Sequence, residues 1–169
     1  AQLFGQLEHR QDTVAPPGHG QGAMSQKSFT AGAVGRVFFV RWLAPPGWSD
    51  AQAMLGELAT ARSRAGEPLI FCAVLSNAAG PPGKELRSRM KEVVGEIRRH
   101  CDHVHVALEG EGVVVSLMRT VIRGALVASR LSAVVSIHDS VSSVCELHAE
   151  RLGQSPAALI AAARKAGVL

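Results

Sequence analysis

The run LIFCAVLS at 69–76 contains eight residues with no charge and only one strongly polar side chain, at its end. Glu67 and Pro68 precede it, and Asn77 with the glycines and prolines of 80–83 follow it. Such a run is strand-length and shows none of the alternation of a half-solvated strand. It reads as a strand in the middle of a sheet, with both faces covered. Parallel strands need crossover connections, usually helices, so the segments flanking this run carry the next test.

Both flanks have helical patterns. Ser49 stands where an N-cap is expected, Ala53, Met54, Leu58 and Ala61 follow at helical spacing, and Gly66 stops the pattern after Ala65. The segment 84–100 sets Leu86, Met90, Val93, Val94 and Ile97 on one face and Arg87, Lys91, Glu92, Arg98 and Arg99 on the rest, which predicts one amphipathic helix. HVHVAL at 103–108 alternates with period two, so Val104, Val106 and Leu108 face the core. The mostly apolar stretch 113–129 predicts a helix buried on much of its circumference, followed by a strand at 133–138. Asp139 or Ser140 caps a helix running to Leu152, and Ser155 with Pro156 opens a last one that Gly167 ends. RVFFVRWL at 36–43 is a further strand, pairing back through Gly35 with 28–34 as a hairpin. The expected fold is α/β, a mostly parallel sheet of four to five strands with crossover helices.

The 169 residues fit one domain, 27–169, behind a flexible segment 1–26 of Gln, Gly, Pro and His that lacks a signal-like apolar core. With 47% hydrophobic residues the chain can build a core, and a net charge of +4, with acidic residues interspersed, does not point to nucleic acid. Arg119 and Arg123 interrupt the longest apolar stretches well below the ~18 residues of a membrane span, so no membrane insertion is expected. Three cysteines, an odd count without a CxxC pair, fit a reducing compartment and a cytoplasmic protein.

The sequence contains no GxSxG, Walker A, GxGxxG, HExxH or paired-carboxylate signature. Cys72 reads as a small core residue. Cys101, His103 and His105 fall on one side of a strand if it begins that early, and His138 on a neighbouring strand could complete a zinc or copper set. Two histidines on a solvent-facing strand need no ligand, however, and the reading is no metal and no cofactor. His138, Asp139 and Ser140 are adjacent in sequence, but adjacent side chains diverge at a strand end, so helix capping is preferred to a triad. GPPG at 80–83 precedes a helix, where an anion could sit, but its prolines remove donors and favour a rigid turn.

AVLS followed by a turn and an Arg-rich helix, then VHVALEGEG with a further helix and strand, and VSIHDSVSSVCEL at 135–147 together resemble a STAS domain over 28–152. The resemblance implies a non-enzymatic regulatory or scaffold module of the kind found in anti-sigma-factor antagonists and sulfate transporters. It also implies protein docking around 76–92 and 110–119. Antagonists of that family carry an Asp-Ser-Ser/Thr-Gly sequence whose hydroxyl a partner kinase phosphorylates. The matching stretch 76–83 has no hydroxyl beside its glycine, so the usual switch is not expected, with Ser76 and Ser88 the nearest hydroxyls. The expected contact residues for a partner protein, or for self-association, are Ser76, Asn77, Lys84, Arg87, Ser88, Lys91, Glu111 and Val113. The competing readings are a small-molecule or nucleotide carrier and, less favoured, an enzyme using Cys101 with His103 or His105.

Overall fold

A computed structural model describes residues 28–77 and 79–169. The segment 1–26, read as a flexible leader, lies outside the described residues. A hairpin opens the fold: β1 (Phe29–Val34) pairs antiparallel with β2 (Val37–Trp42). Gly35 between them has φ +57, a conformation a two-residue hairpin loop requires and glycine adopts without strain. There follow α1 (Trp48–Ala65), β3 (Leu69–Ser76), α2 (Lys84–Ser88), α3 (Met90–His100) and β4 (Cys101–Glu109). The chain ends with α4 (Val113–Ala128), β5 (Ser136–His138), α5 (Val141–Leu152) and α6 (Pro156–Lys165).

The five strands lie in the order β1-β2-β3-β4-β5, all parallel after the first pair. β3, the apolar run, is buried along almost its whole length in the middle of this sheet. When each new parallel strand is added on the same side and every crossover has the same hand, all crossover helices fall on one face. The packing follows that rule. Residues of α1 to α4 form one core with Phe38, Val40, Phe71, Ala73, Val104 and Leu108. Among the described residues the opposite face is covered by the last two helices and the segment after them, which bring Val141, Val144, Cys145, Leu159, Ala163 and Val168 onto Val37, Phe39, Ile70, Cys72, Val74 and Ala107. Each fully buried aliphatic side chain in that seam contributes about 1.5–3 kcal/mol.

Several local expectations change. Gly47, not Ser49, is the N-cap of α1, and Asp50 three residues on accepts its N–H at 2.9 Å. The helix expected over 84–100 is broken at Arg89, whose N–H is shared between the carbonyls of Glu85 and Leu86 and whose guanidinium lies 4.4 Å over the Trp48 ring. The strand expected over 133–138 shrinks to three residues, because Val134 and Val135 both donate to the Leu131 carbonyl in a turn. Helix α4 buries Val115, Met118, Ile122 and Leu126, one stripe rather than most of its circumference.

Candidate functional site

The parallel strands end together at one edge of the sheet, where the predicted docking residues are carried by successive loops. Ser76 closes β3, half-buried, and the exposed Asn77 follows it. The Asn77 amide donates to the Glu111 carbonyl at 3.4 Å, joining the loop after β3 to the loop after β4. A side chain on Gly110, at φ +108, would meet that amide at 3.1 Å. Val113 opens α4 from the same loop and is 85% exposed. Ser76, Asn77, Glu111 and Val113 thus meet at the ends of two adjacent strands. Lys84, Arg87 and Ser88 belong instead to α2, and Lys91 to the first turn of α3. The Ser88 hydroxyl donates to the Glu85 carbonyl of its own helix at 2.7 Å. The GPPG turn behaves as a turn, with the Gly83 N–H donating to the Pro46 carbonyl at 3.1 Å.

A second constellation lies on the other face of the sheet. His103 and His105 alternate on β4 toward α5, and His138 reaches the same face from β5, where its strand neighbour is Ala107. His148 arrives from α5 on the stripe Val141, Val144, Cys145, His148. His105 is at the centre: its Nδ1 is 3.0 Å from His138 Nε2, and its Nε2 is 2.8 Å from His148 Nε2. The His103 ring lies 4.8 Å from the His148 ring, centroid to centroid. One potential ligand nitrogen from each of His103, His105 and His148 lies within 4.8 Å of the others. Arg151, one turn beyond His148, pairs with Asp102 of β4, which also faces Arg36 at 3.5 Å.

Burial dominates the electrostatics. It pushes His105 down to about 4, helped by the neighbouring rings of His148, His138 and His103. His138 is lowered by burial against an opposing pull from Asp139. His148 is lowered chiefly by burial and by His103 and Arg151, with Asp102 opposing. These three rings are therefore neutral near pH 7, and a neutral ring has one donor and one acceptor nitrogen. His105 consequently donates on one side and accepts on the other.

Cys101 is not part of this set. Leu69 pairs with Cys101 but Ile70 pairs with His103, so Asp102 is an extra residue in β4. Such a bulge flips the strand's side-chain alternation. Cys101 is buried in the core of the α1–α4 face, and its thiol is pushed up to about 12 by burial. His148 converges with His103 and His105 where Cys101 was expected. The face itself is not an outer one, since His105 is only 2% exposed beneath α5. Sequence reading missed His148, although its place at i+3, i+4 and i+7 from Cys145, Val144 and Val141 marks an imidazole in an otherwise apolar stripe. The His-Asp-Ser triplet separates as expected: His138 turns to His105, Asp139 pairs with Arg119 at 2.5 Å, and the Ser140 hydroxyl accepts the Ser143 N–H at 3.1 Å.

Among the described residues no helix is long and apolar enough to cross a membrane. Comparisons with protein-family models, curated proteins and solved structures return no match to this chain.

Proposed function

We propose that this chain is a non-enzymatic, STAS-like protein-interaction module that docks through the exposed side of α4 onto α4 of a second copy. The observation that carries this reading is the exposure of large apolar side chains there: Val113 is 85%, Leu117 59% and Val114 50% exposed. An apolar face of that kind on a folded domain marks a contact surface. Val114, Leu117, Val121, Gly124 and Ala128 follow a spacing of three and four residues along one side of the helix. Large residues occupy the first half of that seam and small ones the second. An antiparallel pair centred on Val121 sets Val114 against Ala128 and Leu117 over Gly124, beside which a Cβ would meet nothing within 4 Å. The same pairing places the exposed Glu111, ahead of α4, opposite the exposed Arg130, just beyond it. Such self-complementarity is what a twofold interface requires. The loop carrying Asn77 and Glu111 extends the surface toward the strand ends.

A small-molecule carrier finds less support. The apolar cavity beneath α1, α3 and α4, lined by residues such as Met54, Val93 and Ile122, is about 90 Å³. Ligand pockets usually enclose about 300–1,000 Å³. A larger volume of about 650 Å³ lies between α1 and β1, but it is a surface trough floored by Ala31, Ala33, Ala53 and Gly56.

Sedimentation velocity tests the docking face. The wild type is expected to sediment as a dimer, Leu117→Glu as a folded monomer, and Arg130→Glu as a weakened dimer that Glu111→Lys restores. A wild type that remains monomeric at every concentration overturns the reading.

A further inference from the structure

We infer that His103, His105 and His148 form a binding site for a divalent transition-metal ion of the zinc class, with His138 orienting the central ligand. The inference is independent of the α4 surface, since it concerns the opposite face of the sheet. Four of the five histidines among the described residues gather at this one seam, from β4, β5 and α5. Two of them, His105 and His148, occupy positions that an aliphatic side chain would fill in an ordinary sheet-to-helix contact, and both are buried.

The geometry is close to that of a tetrahedral site. Zinc–nitrogen distances of about 2.0–2.1 Å put two ligand nitrogens about 3.3 Å apart. His105 Nε2 and His148 Nε2 stand at 2.8 Å, so a small separation of β4 and α5 side chains admits the ion between them. His103 supplies the third nitrogen within 4.8 Å. Being exposed, it can rotate inward without disturbing the core.

The fourth histidine provides a separate argument. A ligating imidazole normally donates its remaining ring N–H to a fixed acceptor, which sets its tautomer and orientation. If His105 binds through Nε2, its Nδ1–H faces His138 Nε2 at 3.0 Å. That is the required outer contact, already in place. Three imidazoles without a carboxylate favour zinc or copper over magnesium or calcium, which take oxygen ligands. Three protein ligands leave a fourth position on the His103 side for water or an incoming group. Bound there, the ion would clamp α5 to β4.

The test uses the full chain, stripped with EDTA and titrated with zinc chloride, followed by metal analysis after dialysis and by thermal unfolding. One equivalent per chain and a rise in Tm that saturates at that ratio are expected, as is a tetrahedral visible spectrum with cobalt. His103→Gln, an exposed change that leaves the core intact, should lose affinity by at least about tenfold, and His138→Gln by about 10- to 100-fold. Uptake that is the same in wild type and His103→Gln places the ion elsewhere and overturns the site. So does magnesium displacing zinc at equal concentration, or a Tm that zinc leaves unchanged.

Discussion

His105 on β4 and His148 on α5 meet nitrogen to nitrogen at 2.8 Å, so the layer formed by α5 and α6 is tied to this face of the sheet by a contact between two bases. Both are held below their ordinary value of 6.5 in the fold, His105 at about 4. Between those limits the unfolded chain binds more protons than the folded one, so stability rises with pH across that window. It is fully present above about 6.5 and is lost as pH falls toward 4. Urea unfolding of the metal-free protein at pH 7.5 and at pH 4.5 should show the loss, most of it above the range where carboxylates titrate. Equal midpoints would mean that the rings are solvated in the fold.

The start of α5 offers a second lever on the same contact. Ser140 Oγ accepts the Ser143 N–H at 3.1 Å, satisfying one of the free donors of the first turn. Ser140→Ala should cost about 1 kcal/mol and Ser140→Gly only a few tenths, because glycine leaves the turn's N–H groups open to water. A shift of the urea midpoint without a change in slope is the expected signature. A larger loss from the glycine variant would contradict the capping role.

The sheet was legible because its central strand is buried on both faces: LIFCAVLS has no other way to be satisfied, and the helices either side follow from that. Local apolar period and capping residues such as Ser140, Ser155 and Pro156 give α5 and α6 almost to the residue. What sequence pattern did not reveal was non-local. The extra residue at Asp102 depends on how β4 pairs with β3, and that one residue of register turns Cys101 away from the histidines, while His148 is brought to them by the packing of α5 on the sheet. Of the exposed side of α4 only the start, at Val113, was anticipated, because VVVSLMRTVIRGALVA is apolar nearly all round and only the layer arrangement determines which side is covered. The break at Arg89 coincides with its stacking on Trp48, a contact between residues far apart in the chain.

Gly32 on β1 touches the C-terminal segment closely enough to be tested directly. A Cβ there would lie 2.8 Å from Val168 Cγ1, inside the limit of ordinary contact. Gly32→Ala should therefore destabilise by about 1–3 kcal/mol through overpacking. Val168→Ala removes the obstructing methyl groups, so the double variant should be more stable than the sum of the two single effects predicts. Strict additivity in a double-mutant cycle would show that the two sites do not interact.

The three free thiols report separately on the two faces of the sheet. Cys72 of β3 and Cys145 of α5 are buried where α5 and α6 meet the sheet, whereas Cys101 is buried under the crossover helices. Burial pushes Cys145 up to about 11 and Cys101 up to about 12, and raises Cys72 as well, with the neighbouring Cys145 adding to the effect. At pH 8 the native protein should therefore be almost inert to a disulfide reagent, and three equivalents should react once it is unfolded. At urea concentrations below the transition, labelling depends on which layer opens first. Helices α5 and α6 pack against each other and form a core separate from that of the crossover helices, so their release exposes Cys72 and Cys145 together and leaves Cys101 covered. Peptide mass spectrometry should find the first two labelled ahead of the third, and Ser140→Ala should widen that gap by weakening α5 alone. Labelling of all three at one common rate would show instead that the two layers open only with the whole fold.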